Sequence, residues 1–418
     1  MKFPNLYSKF DLSAILTAQK YLALVGALAA VSIPNSSLAA TIKSNPTDAD
    51  YAIPNYDHIF VIIEENQAYN RIIGSEDAPI INNLAKTYGS ASNFYGEVHP
   101  SEGNYVAMIG GSTFGIHDDD AFYCKPGSSD KYCTNSNKPD YVNHTVSDLS
   151  LVDQLQAKGL SWKGYFEDIP APGSKAIYSP EEPTATQPSQ LYASKHNAFI
   201  NYESVQNDPN LPSKLVGFDQ LTADLNSGNV PNYSHIVANQ CNEMHGLSGA
   251  LVPADCVSTP DAGRIRRGDT EVGNLVNAIQ SSSIWSKGNN AIVVTWDEDN
   301  NPAVKTGVQG CCGYDPKSNA NFGGGQIPTV VITNNGPRGV VDDTPYNHYS
   351  LLRTTEDAFG IYNYLNLAGD TANGVKPLTP LFTITKAVPE SSLTLGLLAF
   401  GVLGIGLQRQ RTNARKVV

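Results

Sequence analysis

The sequence predicts an α/β fold: a mostly parallel central sheet with helices on both faces and long irregular excursions. Three observations carry this. His58-Ile59-Phe60-Val61-Ile62-Ile63 is a continuous apolar, β-branched run that ends abruptly in Glu64-Glu65-Asn66. Ala291-Ile292-Val293-Val294-Thr295-Trp296 ends the same way in Asp297-Glu298-Asp299. Strands without polar alternation are buried on both faces, as in a helix-covered parallel sheet. Between them, segments of strand and helix character alternate, which is the pattern of parallel crossovers.

The elements follow in order. Residues 41–55 are a Pro/Asn/Asp-rich lead-in, and Ile59–Ile63 is the first strand. Pro79 to Tyr88 reads as a helix whose Ile80, Ile81, Leu84 and Ala85 share a face at helical spacing. The next element starts after His99-Pro100-Ser101, and 117–145 is a polar, cysteine-bearing excursion. A helix over Leu149–Lys158 and a strand over Ser161–Phe166 precede a Pro-rich loop at 168–190. Ser234–Asn239 is a strand, and Asp269–Ser282 a helix lined by Val272, Leu275, Val276 and Ile279. The second acid-ended strand runs from Ala291 to Thr295, and 299–325 is a Gly/Asn loop. Ile327–Thr333 is a strand and Tyr349–Phe359 a helix.

The ends of the chain differ from its middle. Lys2, Lys9 and Lys20 precede the apolar run Tyr21–Val31, and Ser37-Leu38-Ala39 supplies small residues for a signal peptidase, so 1–40 reads as an export signal. A second uncharged apolar run, Leu393–Leu407, is followed by Arg409, Arg411, Arg415 and Lys416, and 391–408 is expected to span a membrane with a cytoplasmic basic end. With Val388-Pro389-Glu390 ahead of it, 387–418 resembles a PEP-CTERM sorting signal, although Ser391 stands where that pattern has a second Pro. The resemblance implies transient anchoring, cleavage by an exosortase-type enzyme, and a final place in the cell envelope or extracellular matrix.

Three lysines against one aspartate in 1–40, and four basic residues against one acid in 387–418, leave the domain at 41–386 with a charge of −17 where the whole chain has −12. An acidic exported domain argues against nucleic-acid binding and against tight attraction to anionic lipid. Cys124 and Cys133, and Cys241 and Cys256, bracket short loops at spacings that suit local disulfides in an oxidising compartment. The adjacent Cys311 and Cys312 are left open, since bridging neighbours demands unusual geometry.

Carboxylates and amides released past the ends of parallel strands point into the crevice where open α/β sheets bind ligands. Glu65-Asn66 and Asp297-Glu298 offer hard oxygen donors suited to a divalent cation. Alone, each pair would read as a solvated turn. In His99-Pro100-Ser101-Glu102-Gly103-Asn104-Tyr105, Ser101 stands where a helix can begin, either as an ordinary N-cap or as a nucleophile beside free N–H groups.

Taken in order, these blocks resemble the bacterial phosphoesterase family of metal-dependent acid phosphatases and phospholipases C, within the alkaline-phosphatase-like superfamily. The matching blocks are Glu65-Asn66; Ala78-Pro79 through Asn83-Leu84-Ala85; His99-Pro100-Ser101 with Asn104-Tyr105; Ser161-Trp162-Lys163 through Glu167-Asp168; Asn239 through Cys241-Asn242-Glu243-Met244-His245; Gly268-Asp269; Thr295-Trp296-Asp297-Glu298; and His348 through Thr354 with Glu356-Asp357.

The resemblance implies an alkaline-phosphatase-like fold and a divalent metal, of unknown identity, held by Glu65, Asn66, Ser101, Asp297 and Glu298. It implies Ser101 as nucleophile, Asn104 as donor to a phosphate oxygen, and His245 as a phosphate-contacting or acid/base group, with His99 and His348 as weaker candidates. It further implies hydrolysis of phosphate monoesters through a phosphoserine. The compact Glu65–Gly74 block and the serine at 101 look more like the acid-phosphatase branch than the phospholipases C. Phosphodiester or phospholipid cleavage is the rival activity, and a catalytically inactive matrix-associated binding protein the non-enzyme reading. Gly103 replaces a usual Pro, and Gln326 a frequent His. His58, His117, His144, His196 and His235 read as structural or solvated.

Overall fold

The computed structural model describes residues 53–249, 251–300, 310–313 and 323–383. The export signal at 1–40 and the sorting signal at 387–418, with its span at 391–408, lie outside these residues. Among the described residues, no helix is long and apolar enough to cross a membrane.

In chain order the strands are β1 (His58–Glu64), β2 (Gly89–Tyr95), β3 (Trp162–Phe166), β4 (Tyr178–Ser179), β5 (Tyr192–Ala193), β6 (Leu215–Val216), β7 (Tyr233–Val237), β8 (Asn290–Trp296), β9 (Gln326–Thr333), β10 (Val340–Asp342) and β11 (Tyr346–Asn347). The central sheet runs β10-β2-β9-β8-β1-β7-β3-β6, with β11 paired to β2, while β4 and β5 form a separate ribbon. β1 lies parallel to both β7 and β8, and β3 is parallel to β7 and β6. β9 is antiparallel to β8 and β2. The mostly parallel α/β sheet expected from the two apolar runs is therefore present.

Those two runs are central neighbours. Every residue of β8 is buried, as is β1 from Ile59 onward. Their register pairs Ile63 with Thr295 and Glu64 with Trp296. Parallel pairing in that register brings the acidic residues beyond both strands to the same edge of the sheet.

Helices cover the sheet where apolar spacing predicts them. Pro79–Thr87 buries Ile81, Leu84 and Ala85. Its expected fourth apolar contact, Ile80, is 38% exposed at the rim of the helix. Asp269 caps this helix from a distance: its two carboxylate oxygens accept from Ile80 N at 3.1 Å and Ile81 N at 2.8 Å. Asp269 belongs to the long helix Asp261–Ser281, which begins eight residues before the expected start. Ser150 and Asp153 form a capping box at the start of Leu151–Ala157.

Three disulfides are present. Cys124–Cys133 and Cys241–Cys256 close the local loops that their spacing suggested, and Cys311 is bonded to its neighbour Cys312.

Candidate active site

The site is built at the edge where β1, β7 and β8 release their chains. Glu65 N donates to Glu243 O at 2.7 Å, and Asp297 N donates to Glu64 O at 3.1 Å. Asn66 adopts a left-handed φ of 51°, a conformation Asn tolerates better than most side chains. It turns the chain so that Asn66 N donates to Asp297 Oδ1 at 3.1 Å, linking the two acidic clusters across 231 positions.

Ser101 precedes the helix Glu102–Gly110 but does not cap it with its side chain. Its Oγ donates to Glu65 Oε2 at 3.2 Å, and it also hydrogen-bonds Asp297. The vacant cap is filled by Asp119, whose Oδ1 accepts from Glu102 N at 3.2 Å. The residue at 103 packs tightly: a Cβ there would lie 2.6 Å from Ile116 O and 2.7 Å from Val98 Cγ2. Glycine at the position usually held by Pro thus lets the first helical turn press against the excursion.

Asn104, in the first turn of that helix, is fully buried, and its side chain bonds the segment ahead of the serine. Its Oδ1 accepts from Glu97 N at 2.7 Å and Val98 N at 3.1 Å, and its Nδ2 donates to Val98 O at 2.9 Å and Glu298 Oε2 at 3.4 Å. Glu298 Oε2 also meets His99 Nδ1 at 2.8 Å, and His99 Nε2 meets Asp299 Oδ1 at 3.3 Å. Gln326 donates to Ser92 O at 2.7 Å and so ties β9 to β2.

The structure therefore gathers Glu65, Ser101 and Asp297 directly, with Asn66 beside them, and sets Asn104 and His99 on Glu298. His348 stands behind β8, its Nε2 2.9 Å from Trp296 O. A carbonyl only accepts, so that nitrogen carries the proton.

His245 follows β7. Its Nδ1 lies 2.7 Å from Gly246 O, which assigns the proton to Nδ1 and leaves the Nε2 lone pair free. Nε2 faces Lys195 Nζ at 3.3 Å. Lys195 is held in turn by Asp119 Oδ2 at 3.0 Å. Beside it, His196 bridges two carboxylates, with Nδ1 2.7 Å from Glu243 Oε1 and Nε2 3.2 Å from Glu65 Oε1. Its ring stacks on Tyr105 at 5.3 Å.

The sequence assigns no site role to Lys195, Glu243 or Asp119, and reads His196 as structural or solvated. The other histidines read as structural are engaged elsewhere: His58 on Pro231 O, His117 on Gly115 O, His235 with Tyr233, and His144 between Glu102 and Asp118.

Crowding of buried carboxylates dominates the electrostatics. Burial, then the charges of Asp297 and Glu243, push Glu65 well above the usual carboxylate range. Burial and Asp297 do the same to Glu243. Burial raises Asp297 to about 6 and Glu298 to about 8. Burial alone would lower His99, but Asp299 and Glu298 outweigh it and hold the ring near 10. Burial and Lys195 depress His245 to about 3, and His196 well below its ordinary value.

Such a cluster ionises fully only beside a cation. The donor set fits one: Glu65 Oε1 and Asp297 Oδ2 are buried without a hydrogen-bond partner. Donor atoms of Glu65, His196 and His245 also lie within 4.8 Å of one another, a spacing compatible with a metal. Of that trio, His245 Nε2 already faces the Lys195 ammonium, whereas the unpartnered Glu65 and Asp297 oxygens do not.

Residues 74–362 match the model of the Phosphoesterase family. The chain belongs to this family. As a member it is a hydrolase acting on phosphoric ester bonds. It is 29% identical over 343 residues to the phosphatidylinositol-3-phosphatase of Mycobacterium tuberculosis, covering 81% of this chain and 88% of that one. It is 25% identical over 385 residues to a probable acid phosphatase of Kluyveromyces lactis, covering 89% and 73%. Among solved structures it is similar to a protein in the alkaline phosphatase superfamily from Vibrio parahaemolyticus, at 11% identity and a TM-score of 0.45, covering 75% of this chain and 69% of that one.

Proposed function

We propose that this phosphoesterase is an exported, metal-dependent phosphomonoesterase that works through a phosphoserine at Ser101. The observation that carries the reading is the Ser101 hydroxyl lodged between the carboxylates of Glu65 and Asp297 at the end of two parallel strands. A serine hydroxyl needs a neighbouring base or a cation to act as a nucleophile at neutral pH.

Glu65, Asn66, Ser101, Asp297 and Glu298 are the residues that would hold the divalent ion. When bound, the ion supplies charge neutralisation and lowers the pKa of the serine hydroxyl. Ser101 Oγ then attacks phosphorus, and its proton passes to a carboxylate of the cluster. That proton passes to the departing alkoxide, which leaves as the alcohol, and water cleaves the phosphoserine to give inorganic phosphate. His245 is neutral, with its Nδ1–H on Gly246 O and its Nε2 facing the Lys195 ammonium, so in this reading it orients that cation in the pocket. The Asn104 N–H that rests on Glu298 at 3.4 Å is the longer of its two bonds, and it is the one we assign to a phosphate oxygen.

The names of the relatives favour monoester chemistry, since both are phosphatases. Two local disulfides support an oxidising, exported location. Ser101→Ala tests the reading. It is expected to abolish turnover of an aryl phosphate and the phosphorylated-serine peptide seen by mass spectrometry after acid quench, with the melting transition retained. Undiminished turnover removes Ser101 from the mechanism.

A further inference from the structure

The substrate carries charge that a single divalent ion does not balance. A phosphate monoester has nearly two negative charges at neutral pH, whereas a diester has one. The site adds the carboxylates of Glu65, Asp297 and Glu243, all fully buried. A monoester therefore needs a further cation with an N–H donor to spare.

The positive groups near the site differ in how fully they are engaged. His99 lies between Glu298 and Asp299. Arg264 is committed to Asp261 and to His245 O. Arg267 reaches Asn242 and Asp255. Lys195 has a single carboxylate partner, Asp119, and its second contact is the neutral lone pair of His245. An ammonium has three N–H donors, so one remains, with no protein acceptor among the described residues. The side chain is 15% exposed, whereas Glu65 is fully buried. The short turn Ser194–His196 fixes it in place, because the adjacent His196 is pinned to Glu65 and Glu243.

We propose that Lys195 is a substrate-contacting residue whose ammonium binds a non-bridging phosphate oxygen, and that it selects dianionic monoesters over monoanionic diesters. This deepens the phosphomonoesterase reading and rests on it. Asp119 Oδ2 and His245 Nε2 take two of its N–H bonds and set the ammonium's position. Arg would keep the charge but not the compact point geometry.

The test uses the metal-loaded full chain. Calorimetry measures inorganic phosphate binding to Ser101→Ala, alone and combined with Lys195→Met or Lys195→Arg. Kinetics compare an aryl phosphate monoester with a bis-aryl phosphate diester in the Lys195 single variants and in Asp119→Asn. Loss of one charge-assisted contact is expected to weaken phosphate binding about tenfold or more in the Met variant, with partial recovery in the Arg variant. Monoester kcat/KM falls with it while diester kcat/KM changes little, and Asp119→Asn, which frees the ammonium to move, shows a smaller loss confined to the monoester. Unchanged phosphate affinity overturns the proposal. So does an equal loss on both esters shared by Lys195→Met and Asp119→Asn, which marks a structural brace. Full activity in Ser101→Ala defeats the phosphoserine reading instead, and the phosphate titrations still decide the role of Lys195.

Discussion

His196 Nε2 stands 3.2 Å from Glu65 Oε1 while its Nδ1 stands 2.7 Å from Glu243 Oε1. The ring thus lies between two buried carboxylates whose facing oxygens have no hydrogen-bond partner, and donor atoms of Glu65, His196 and His245 fall within 4.8 Å of one another. A histidine oriented in this way by a carboxylate on its other nitrogen is a common support for metal sites. His196→Ala is therefore expected to weaken divalent-metal affinity about 10–100-fold, and Glu243→Gln less. Metal titration by calorimetry reads this directly, and activity should recover when metal is raised. Equal affinities in wild type and His196→Ala would show that the ring serves packing against Tyr105 alone.

The helix behind Ser101 is anchored by a second histidine. His144 is fully buried, with Nδ1 2.9 Å from Glu102 Oε2 and Nε2 3.0 Å from Asp118 Oδ1. Burial lowers its pKa, but Glu102 and Asp118 more than reverse this and raise it from 6.5 to about 10. A folded pKa above the unfolded one means the native state binds more protons in that window. The contribution is complete below about pH 6.5 and is lost as pH rises toward about 10. Removing one partner of such a buried set costs about 3–5 kcal/mol. His144→Ala should lose about that much stability at pH 6, and the gap to wild type should narrow at pH 9. Urea unfolding at the two pH values checks this. A pH-independent gap would mean that His144 is neutral in the fold.

The outline of the site was legible because β1 and β8 are apolar without interruption and then turn acidic within one residue. Few other segments of the chain do this, and their parallel pairing follows from burial on both faces. β2 was not legible. Gly89-Ser90-Ala91-Ser92-Asn93 lacks β-branched residues, and the strand is held by β9, β10 and β11 around a register shift between Ala91 and Phe94. The front of the helix Asp261–Ser281 was missed because its inward residues there include Arg264 and Gly268 rather than an apolar stripe. Gly268 is needed where the helix meets Met244, since a Cβ would lie 2.3 Å from Met244 Cγ. Lys195-His196 gave no periodic signal, as it sits on one short turn in a loop-rich stretch. Its meaning comes from Asp119 and Glu243, which lie far away in sequence. Local cysteine spacing was informative for Cys124–Cys133 and Cys241–Cys256, but not for Cys311–Cys312.

The Cys241–Cys256 bridge links stability to the site. It closes a segment 15 residues apart that carries Glu243 and His245. Within it, Gly246 N donates to Gln240 O at 2.7 Å and Leu247 N to Cys256 O at 2.9 Å. Leu191, Leu247 and the two sulfurs form a small apolar cluster separate from the main core. Arg264, Arg267 and Glu65 N also bond this segment, and the crosslink adds its restriction of the unfolded chain. A loop of this length is worth about 3 kcal/mol. The double substitution Cys241→Ser/Cys256→Ser is expected to lower stability by about that amount. Because His245 and Glu243 travel with the loop, kcat/KM for a phosphate monoester should also fall at temperatures where the protein remains folded. Thermal melts and initial rates on the same samples test both claims. A fall in melting temperature with unchanged rates would show that the strand end, rather than the crosslink, fixes the two site residues.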